Sequence, residues 1–151
     1  MYKVINFDMD GTLADFYGQP NWKESLENQK IEPYKNAKPM LHFPTLARKL
    51  NALQRKGYVI NIISWNSKGA TYEYAEAVRQ AKLEWLQRHL PSVHWDGIYI
   101  VTFGAPKHLI SKGILFDDDY GNCFEWMDAN AGDAFHPDDI IYVLRKLEAV
   151  S

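Results

Sequence analysis

Asp8-Met9-Asp10-Gly11-Thr12-Leu13-Ala14-Asp15 is the stretch whose reading decides the fold of this chain. It follows an apolar run, Tyr2 to Phe7, whose β-branched Val4 and Ile5 and aromatic Phe7 predict a strand. Two carboxylates one residue apart then fall where that strand should end. Gly11 allows a sharp turn, and Thr12 can bond to it locally. In an open α/β sheet, ligands bind beyond the carboxyl ends of the strands, which would place Asp8 and Asp10 in a crevice. Carboxylates packed this closely repel, and a cation or a shared proton relieves them. The pair alone fits a polar, solvated turn about as well, so the rest of the chain has to decide.

Downstream, strands and helices alternate. Pro44 suits the first turn of a helix whose face is Leu46, Ala47, Leu50 and Leu53, running to about Lys56, with Gly57 as a left-handed cap. Tyr58 to Ser64 reads as a nearly continuous apolar strand of the kind buried in parallel sheets. Residues 70–90 carry a helical stripe of Tyr74, Val78, Ala81, Trp85 and Leu86, with Glu73, Glu76, Arg79, Lys82 and Arg88 expected on the wet face. Strands are predicted at Gly97–Thr102 and Ile114–Phe116, separated by a helical turn from Pro106 to Ser111. Beyond them come a short helix over 122–129 capped by Asn122, a short strand at Ala134-Phe135, and a last helix opened by Pro137 and Asp138. This order predicts an α/β, Rossmann-like parallel sheet flanked by helices.

Residues 16–43 break the pattern with Gly18, Pro20, Pro33 and Pro39 among scattered aromatics. A short helix capped by Asn21, with Glu24 as capping-box partner, is predicted there. A long excursion inside a compact domain is usually functional. It reads as a small cap inserted after the first strand of a single domain, residues 1–151, with Phe16, Tyr17 and Trp22 as rings able to stack on a substrate.

Composition narrows the function classes. The chain has 151 residues, and its 46% hydrophobic and 24% charged residues are the mix of a globular protein. A net charge of −2 disfavours nucleic acid as partner, with a local basic patch left open. Cys123, the single cysteine, cannot form an internal disulfide and fits a reducing compartment. No apolar run nears the roughly 20 residues of a membrane span, and no secretory pattern opens the chain, so a cytoplasmic location is expected. The sequence does not set an oligomeric state.

The predicted strand ends carry reactive groups in series: Asp8 and Asp10, then Ser64, then Lys107, then Asp117-Asp118-Asp119. On a parallel sheet these share one edge. Phosphoryl transfer needs such a set: a carboxylate nucleophile, a second carboxylate as acid and base, and hard oxygen ligands for Mg²⁺. It also needs a hydroxyl and an ammonium at the equatorial oxygens. Lys112 competes with Lys107 but sits against the following strand. Asp119 competes with Asp118. His108 reads as a structural histidine and Cys123 as packing.

In these positions the sequence resembles the haloacid dehalogenase-like (HAD) phosphohydrolases. Asp8-Met9-Asp10-Gly11-Thr12 matches their first motif, Ser64 the second, Lys107 the third and Asp117-Asp118 the fourth. Within that superfamily it is most similar to the 5′(3′)-deoxyribonucleotidases. Asp8 through Phe16 resembles their opening motif, and Lys107 precedes the acidic pair by a similar short stretch. Asn122 and Trp126 fall where they often carry these residues, and Ser64-Trp65-Asn66 stands in place of their Thr-Ser-Pro-like sequence.

The resemblance implies a HAD-like fold and assigns roles. Asp8 would be nucleophile and metal ligand. Asp10 would be acid and base, its backbone carbonyl also touching the metal. Asp118 would complete the protein's share of a Mg²⁺ shell, and Asp117 would orient Lys107 or a metal-bound water. Ser64, with the adjoining Trp65 and Asn66, and Lys107 would bind the substrate phosphate. The implied activity is hydrolysis of small phosphorylated substrates, nucleoside monophosphates first, through an aspartyl-phosphate. Rival readings are a polynucleotide 3′-phosphatase, another small-metabolite phosphatase, and a non-catalytic nucleotide- or phosphate-binding module.

Overall fold

The computed structural model describes residues 2–150. Five strands form one sheet: β1 (Val4–Phe7), β2 (Val59–Trp65), β3 (Gly97–Val101), β4 (Ile114–Phe116) and β5 (Ala134–Phe135), in the order β3-β2-β1-β4-β5. Every pairing is parallel, with Phe7 opposite Ile62 on one side and Phe116 on the other. The first strand in sequence is therefore central, and its carboxyl end lies between those of β2 and β4.

Among the described residues the sheet is accompanied by six α-helices, α1 (Trp22–Glu27), α2 (Glu32–Asn36), α3 (Phe43–Arg55), α4 (Tyr72–His89), α5 (Tyr120–Asp128) and α6 (Ile140–Val150), with short 3-10 turns at Lys107–Leu109 and Pro137–Asp139. Alternation along the strands sorts the core. Ile5, Phe7, Ile60, Ile62 and Phe116 pack with Leu46, Leu50, Leu53, Val143 and Leu144 of α3 and α6. Ile63 and Leu115 point the other way, onto Trp126 of α5. The same opposite face carries two buried asparagines. Asn61 donates to Asn6 Oδ1 at 3.1 Å, and Asn6 donates to the carbonyls of Lys112 and Ile114 at 3.1 and 3.0 Å. These bonds satisfy polar groups that would be costly to bury alone, and they tie β2, β1 and β4 in register just below the acidic ends.

Helix α3 starts at Phe43, with His42 as its cap and Pro44 in its first turn, and Gly57 follows at φ 94° as a left-handed residue. Two expected caps differ. Asn21 precedes α1 but is itself left-handed at φ 56° and makes no side-chain capping bond, so the capping box does not form. Asp119, not Asn122, caps α5, because that helix begins at Tyr120 and the Asp119 carboxylate accepts from Asn122 N at 3.0 Å. Between β1 and α3, helices α1 and α2 pack on α4 through a second cluster of Phe16, Tyr34, Tyr74, Val78 and Ala81. Tyr74 donates to Lys30 O at 2.7 Å, and the Trp85 indole donates to Ala37 O at 2.8 Å, fastening this segment to α4. No helix among the described residues is long and apolar enough to cross a membrane.

Candidate active site

The turn after β1 is built on one acceptor. Met9 O receives Thr12 N, Leu13 N and Ala14 N at 3.1, 2.9 and 2.9 Å, which folds the chain back immediately after Asp8. Gly11 makes this possible at φ 82°, and a Cβ there would lie 2.3 Å from Asp118 Oδ2. Glycine is thus required twice over, for the backbone angle and for the close approach of the turn to the β4 end. Thr12 does more than bond locally. Its hydroxyl donates to Asp8 Oδ2 at 3.1 Å and accepts Asp118 N at 3.2 Å, coupling the two acidic segments.

One carboxylate oxygen each from Asp8, Asp117 and Asp118 lies within 4.8 Å of the others, a set of hard donors able to hold a divalent cation. Asp118 rather than Asp119 joins this set, because the Asp119 side chain is turned to the α5 N-terminus. Asp117 is the most heavily engaged of the three. Its Oδ2 accepts Lys107 Nζ at 2.7 Å and Asn122 Nδ2 at 3.1 Å, and its Oδ1 accepts Asp119 N at 2.9 Å. Lys107 also donates to Asp8 Oδ1 at 3.0 Å and its side chain is 3% exposed. Lys112 is exposed, and its backbone carbonyl accepts from Asn6, so Lys107 is the lysine of the two that the fold brings onto the acidic groups.

Electrostatics follow the crowding. Burial, and then the Asp8 charge, push the Asp118 carboxyl up to about 8. The same two causes raise Asp117 against the opposing pull of Lys107. Burial raises Asp10 as well; the Lys82 ammonium opposes it, and Asp8 adds to it. For Lys107, burial favours the neutral amine, but the Asp8 and Asp117 carboxylates outweigh it and hold the ammonium charged. Four carboxyl groups (Asp8, Asp10, Asp117, Asp118) face two ammonium groups (Lys82, Lys107), so the carboxylates repel once ionised, and a proton or a divalent cation relieves them.

Lys82 is the residue that the sequence pattern assigned to the wrong environment. Expected on the wet face of α4, it is 1% exposed and donates to Asp10 Oδ2 at 3.1 Å, Ser64 Oγ at 2.7 Å and Trp65 O at 2.8 Å. A signal was present: Lys82 stands four residues after Val78 and four before Leu86, on the ridge that also carries Tyr74. Two residues expected to bind phosphate have side-chain groups engaged by the protein itself. The Trp65 indole N–H is spent on Ala105 O at 2.8 Å. The Asn66 side chain braces the β2–α4 connection, donating to Ala75 O at 2.9 Å and accepting Ser67 N at 2.7 Å. Both residues still line the cavity, Trp65 with its ring 4.9 Å from that of Phe103.

That cavity, about 510 Å³, has Asp8, Asp10, Ser64, Lys107, Asp117 and Asp118 at its polar end. Rings of Tyr17, Trp22, Tyr34, Trp65 and Phe103 stand around the rest, with Lys23 and Lys68 also lining it. Tyr17 is exposed and Trp22 partly so, whereas Phe16 is buried against Tyr17, Trp22 and Tyr34 and supports those rings from behind. Outside the acidic cluster, His108 packs near Glu125 at 3.7 Å. Cys123, buried against the Asp117 carbonyl, has its thiol pushed up to about 11 by burial and the neighbouring carboxylates, which keeps it protonated and unreactive.

Comparison with known proteins bears on the fold and the family. A solved structure named as a HAD-like phosphatase, from Mesorhizobium loti, superposes with a TM-score of 0.50 at 13% identity, covering 87% of this chain and 69% of that one. At that identity the likeness is one of fold. No curated protein matches the chain. The family model described as 5′ nucleotidase, deoxy (pyrimidine), cytosolic type C matches residues 35–130, a stretch that holds Ser64, Lys107, Asp117 and Asp118. With well over half its length matched, and a parallel sheet that brings those residues to one edge, the chain belongs to this 5′-nucleotidase family of HAD-like phosphatases.

Proposed function

We propose that this enzyme is a Mg²⁺-dependent phosphomonoesterase that hydrolyses nucleoside monophosphates through an aspartyl-phosphate on Asp8. The observation carrying the reading is that Asp8, paired with Lys107, and Asp10, paired with Lys82, face one cavity from alternate positions at the end of β1. Asp8, Asp117 and Asp118 would hold the ion, whose charge relieves the repulsion among these three carboxylates. When bound, it neutralises charge on the phosphoryl oxygens.

The remaining steps belong to the chain's own residues. A carboxylate oxygen of Asp8 attacks phosphorus and the P–O bond to the leaving group breaks. The protonated Asp10 carboxyl, a form that its burial favours, gives its proton to the departing oxygen. Water then attacks the acyl phosphate while Asp10, now ionised, accepts the water proton, releasing inorganic phosphate and restoring Asp8. Lys107 and the Ser64 hydroxyl hold phosphoryl oxygens in this reading, where negative charge spreads in the transition state.

Residues 16–43 act in this reading as a cap on a single domain, and the rings of Tyr17, Trp22, Trp65 and Phe103 offer apolar faces to a nucleobase. A cytoplasmic location fits the cytosolic description of the matched family model. The test is a substrate panel with Mg²⁺ or with chelator: pyrimidine and purine 5′- and 3′-monophosphates, sugar phosphates and end-phosphorylated oligonucleotides. Mononucleotides should be turned over fastest, only with Mg²⁺, and Asp8→Asn should abolish turnover while keeping the fold. Nucleotide binding without turnover by the wild type would make this a binding module. Preference for oligonucleotide ends would make it a 3′-phosphatase.

A further inference from the structure

Lys107 accounts for the nucleophile's side of the site; the other buried lysine has no assigned role. Lys82 lies on α4 between Val78 and Leu86, where a methionine or leucine would continue the apolar ridge without the cost of burying a charge. All three of its ammonium protons are used, on Asp10 Oδ2, Ser64 Oγ and Trp65 O, and the Tyr34 ring of α2 closes over it at 5.2 Å. An ammonium only donates. Ser64 Oγ must therefore accept from Lys82, which leaves the hydroxyl proton of Ser64 free to point at a ligand.

We propose that Lys82 is a positioning residue for the acid–base half of the reaction, holding the Asp10 carboxyl against the leaving-group side while turning the Ser64 hydroxyl toward the phosphoryl group. The two lysines then divide the site, Lys107 serving Asp8 and Asp117, Lys82 serving Asp10 and Ser64. Tyr34 ties this second arrangement to the 16–43 segment. The inference rests on the reading of Asp10 as proton donor.

The experiment compares two substrates that differ in their need for that proton. Nitrophenolate leaves without protonation, whereas the 5′-oxygen of a nucleoside must be protonated as it departs. The quantity to compare is kcat/KM, because it ends at departure of the leaving group and excludes the later hydrolysis of the aspartyl-phosphate. Lys82→Met should lower kcat/KM for a nucleoside 5′-monophosphate by about 10²-fold or more, the scale of general-acid catalysis, and that for p-nitrophenyl phosphate by less than about tenfold. Lys82→Gln, which keeps a side-chain donor, should fall between wild type and Lys82→Met.

In an Asp10→Asn background, which removes the carboxylate that Lys82→Met would leave unpaired, the further change Lys82→Met should cost less than about tenfold with the nucleotide, the loss expected with p-nitrophenyl phosphate, since only its effect through Ser64 remains. Equal losses on the two substrates would overturn the proposal, as would full multiplication of the two defects in the double variant. If Asp10→Asn alone were to slow both substrates equally, the assignment of Asp10 would be at fault and this inference would fall with it.

Discussion

Removing the Lys107 ammonium without changing the bulk of the side chain, as Lys107→Met does, exposes two separate consequences of one geometry. Lys107 Nζ lies 3.0 Å from Asp8 Oδ1 and 2.7 Å from Asp117 Oδ2, with all three groups buried. Its loss leaves two carboxylates facing each other in a poorly solvated site. Breaking a buried pair by removing one partner costs about 3–5 kcal/mol. For a chain of 151 residues, each kcal/mol lowers Tm by roughly 2–4 °C, so a fall of about 10 °C is expected without divalent cation. The catalytic loss is independent of this: an ammonium missing from the transition state costs about 3–4 kcal/mol, or roughly 10²–10³ in kcat/KM.

Urea or thermal melts, with kcat/KM measured at saturating Mg²⁺, read the two effects separately. Combining Lys107→Met with Asp117→Asn should recover about 1–3 kcal/mol relative to the sum of the single variants, because the repulsion has been removed. Lys112→Met serves as control and should stay within about 0.5 kcal/mol of wild type, as exposed positions do. A Lys107→Met enzyme with Tm within about 2 °C and kcat/KM within about threefold of wild type would refute the assignment of Lys107 to both the stability and the chemistry of the site.

Three further outcomes follow from the same geometry. Asp119→Ala should cost about 1 kcal/mol as the loss of a helix cap, with its Mg²⁺ requirement unchanged, whereas Asp118→Ala should raise the Mg²⁺ concentration needed for half-maximal activity; titrations showing the reverse pattern would move the ligand to Asp119. Because Asp118 is raised from the ordinary carboxylate range to about 8 in the fold, the folded state binds more protons than the unfolded one across that interval, and stability without divalent cation should fall as pH rises through it. Added Mg²⁺ should displace the proton, so the Tm difference between Mg²⁺ and chelator should widen from pH 5 to pH 8, and equal Tm values at pH 8 would contradict a cation site here. Gly11→Ala forces a side chain onto Asp118 Oδ2 at φ 82°, so activity should fall more than the roughly 1–2 kcal/mol of backbone strain seen in a melt; wild-type turnover would show that Asp118 need not lie where it does.

Local pattern carried much of this protein in the sequence alone. The alternation of apolar runs and helical stripes fixed the order of elements, since burial on two faces of a sheet and on one face of a helix leaves different periods in the chain. The parallel sheet follows from that order. So does the common edge of Asp8, Ser64, Lys107 and Asp117, because parallel strands all end on one side. What no local pattern could supply was which side chains meet once those edges align. Lys82 and Asp10 are 72 positions apart, and a lysine flanked on α4 by Glu76, Arg79 and Glu84 looks wet until the 16–43 segment and the β1 turn close over it. The grouping of Asp118, rather than Asp119, with Asp8 and Asp117 depended on where β4 stops and α5 begins, and the engagement of Asn66 and the Trp65 indole depended on backbone carbonyls from other segments. Periodicity records whether a residue is buried against something apolar; partners in a polar site are chosen by long-range packing, so only the tertiary structure decided them.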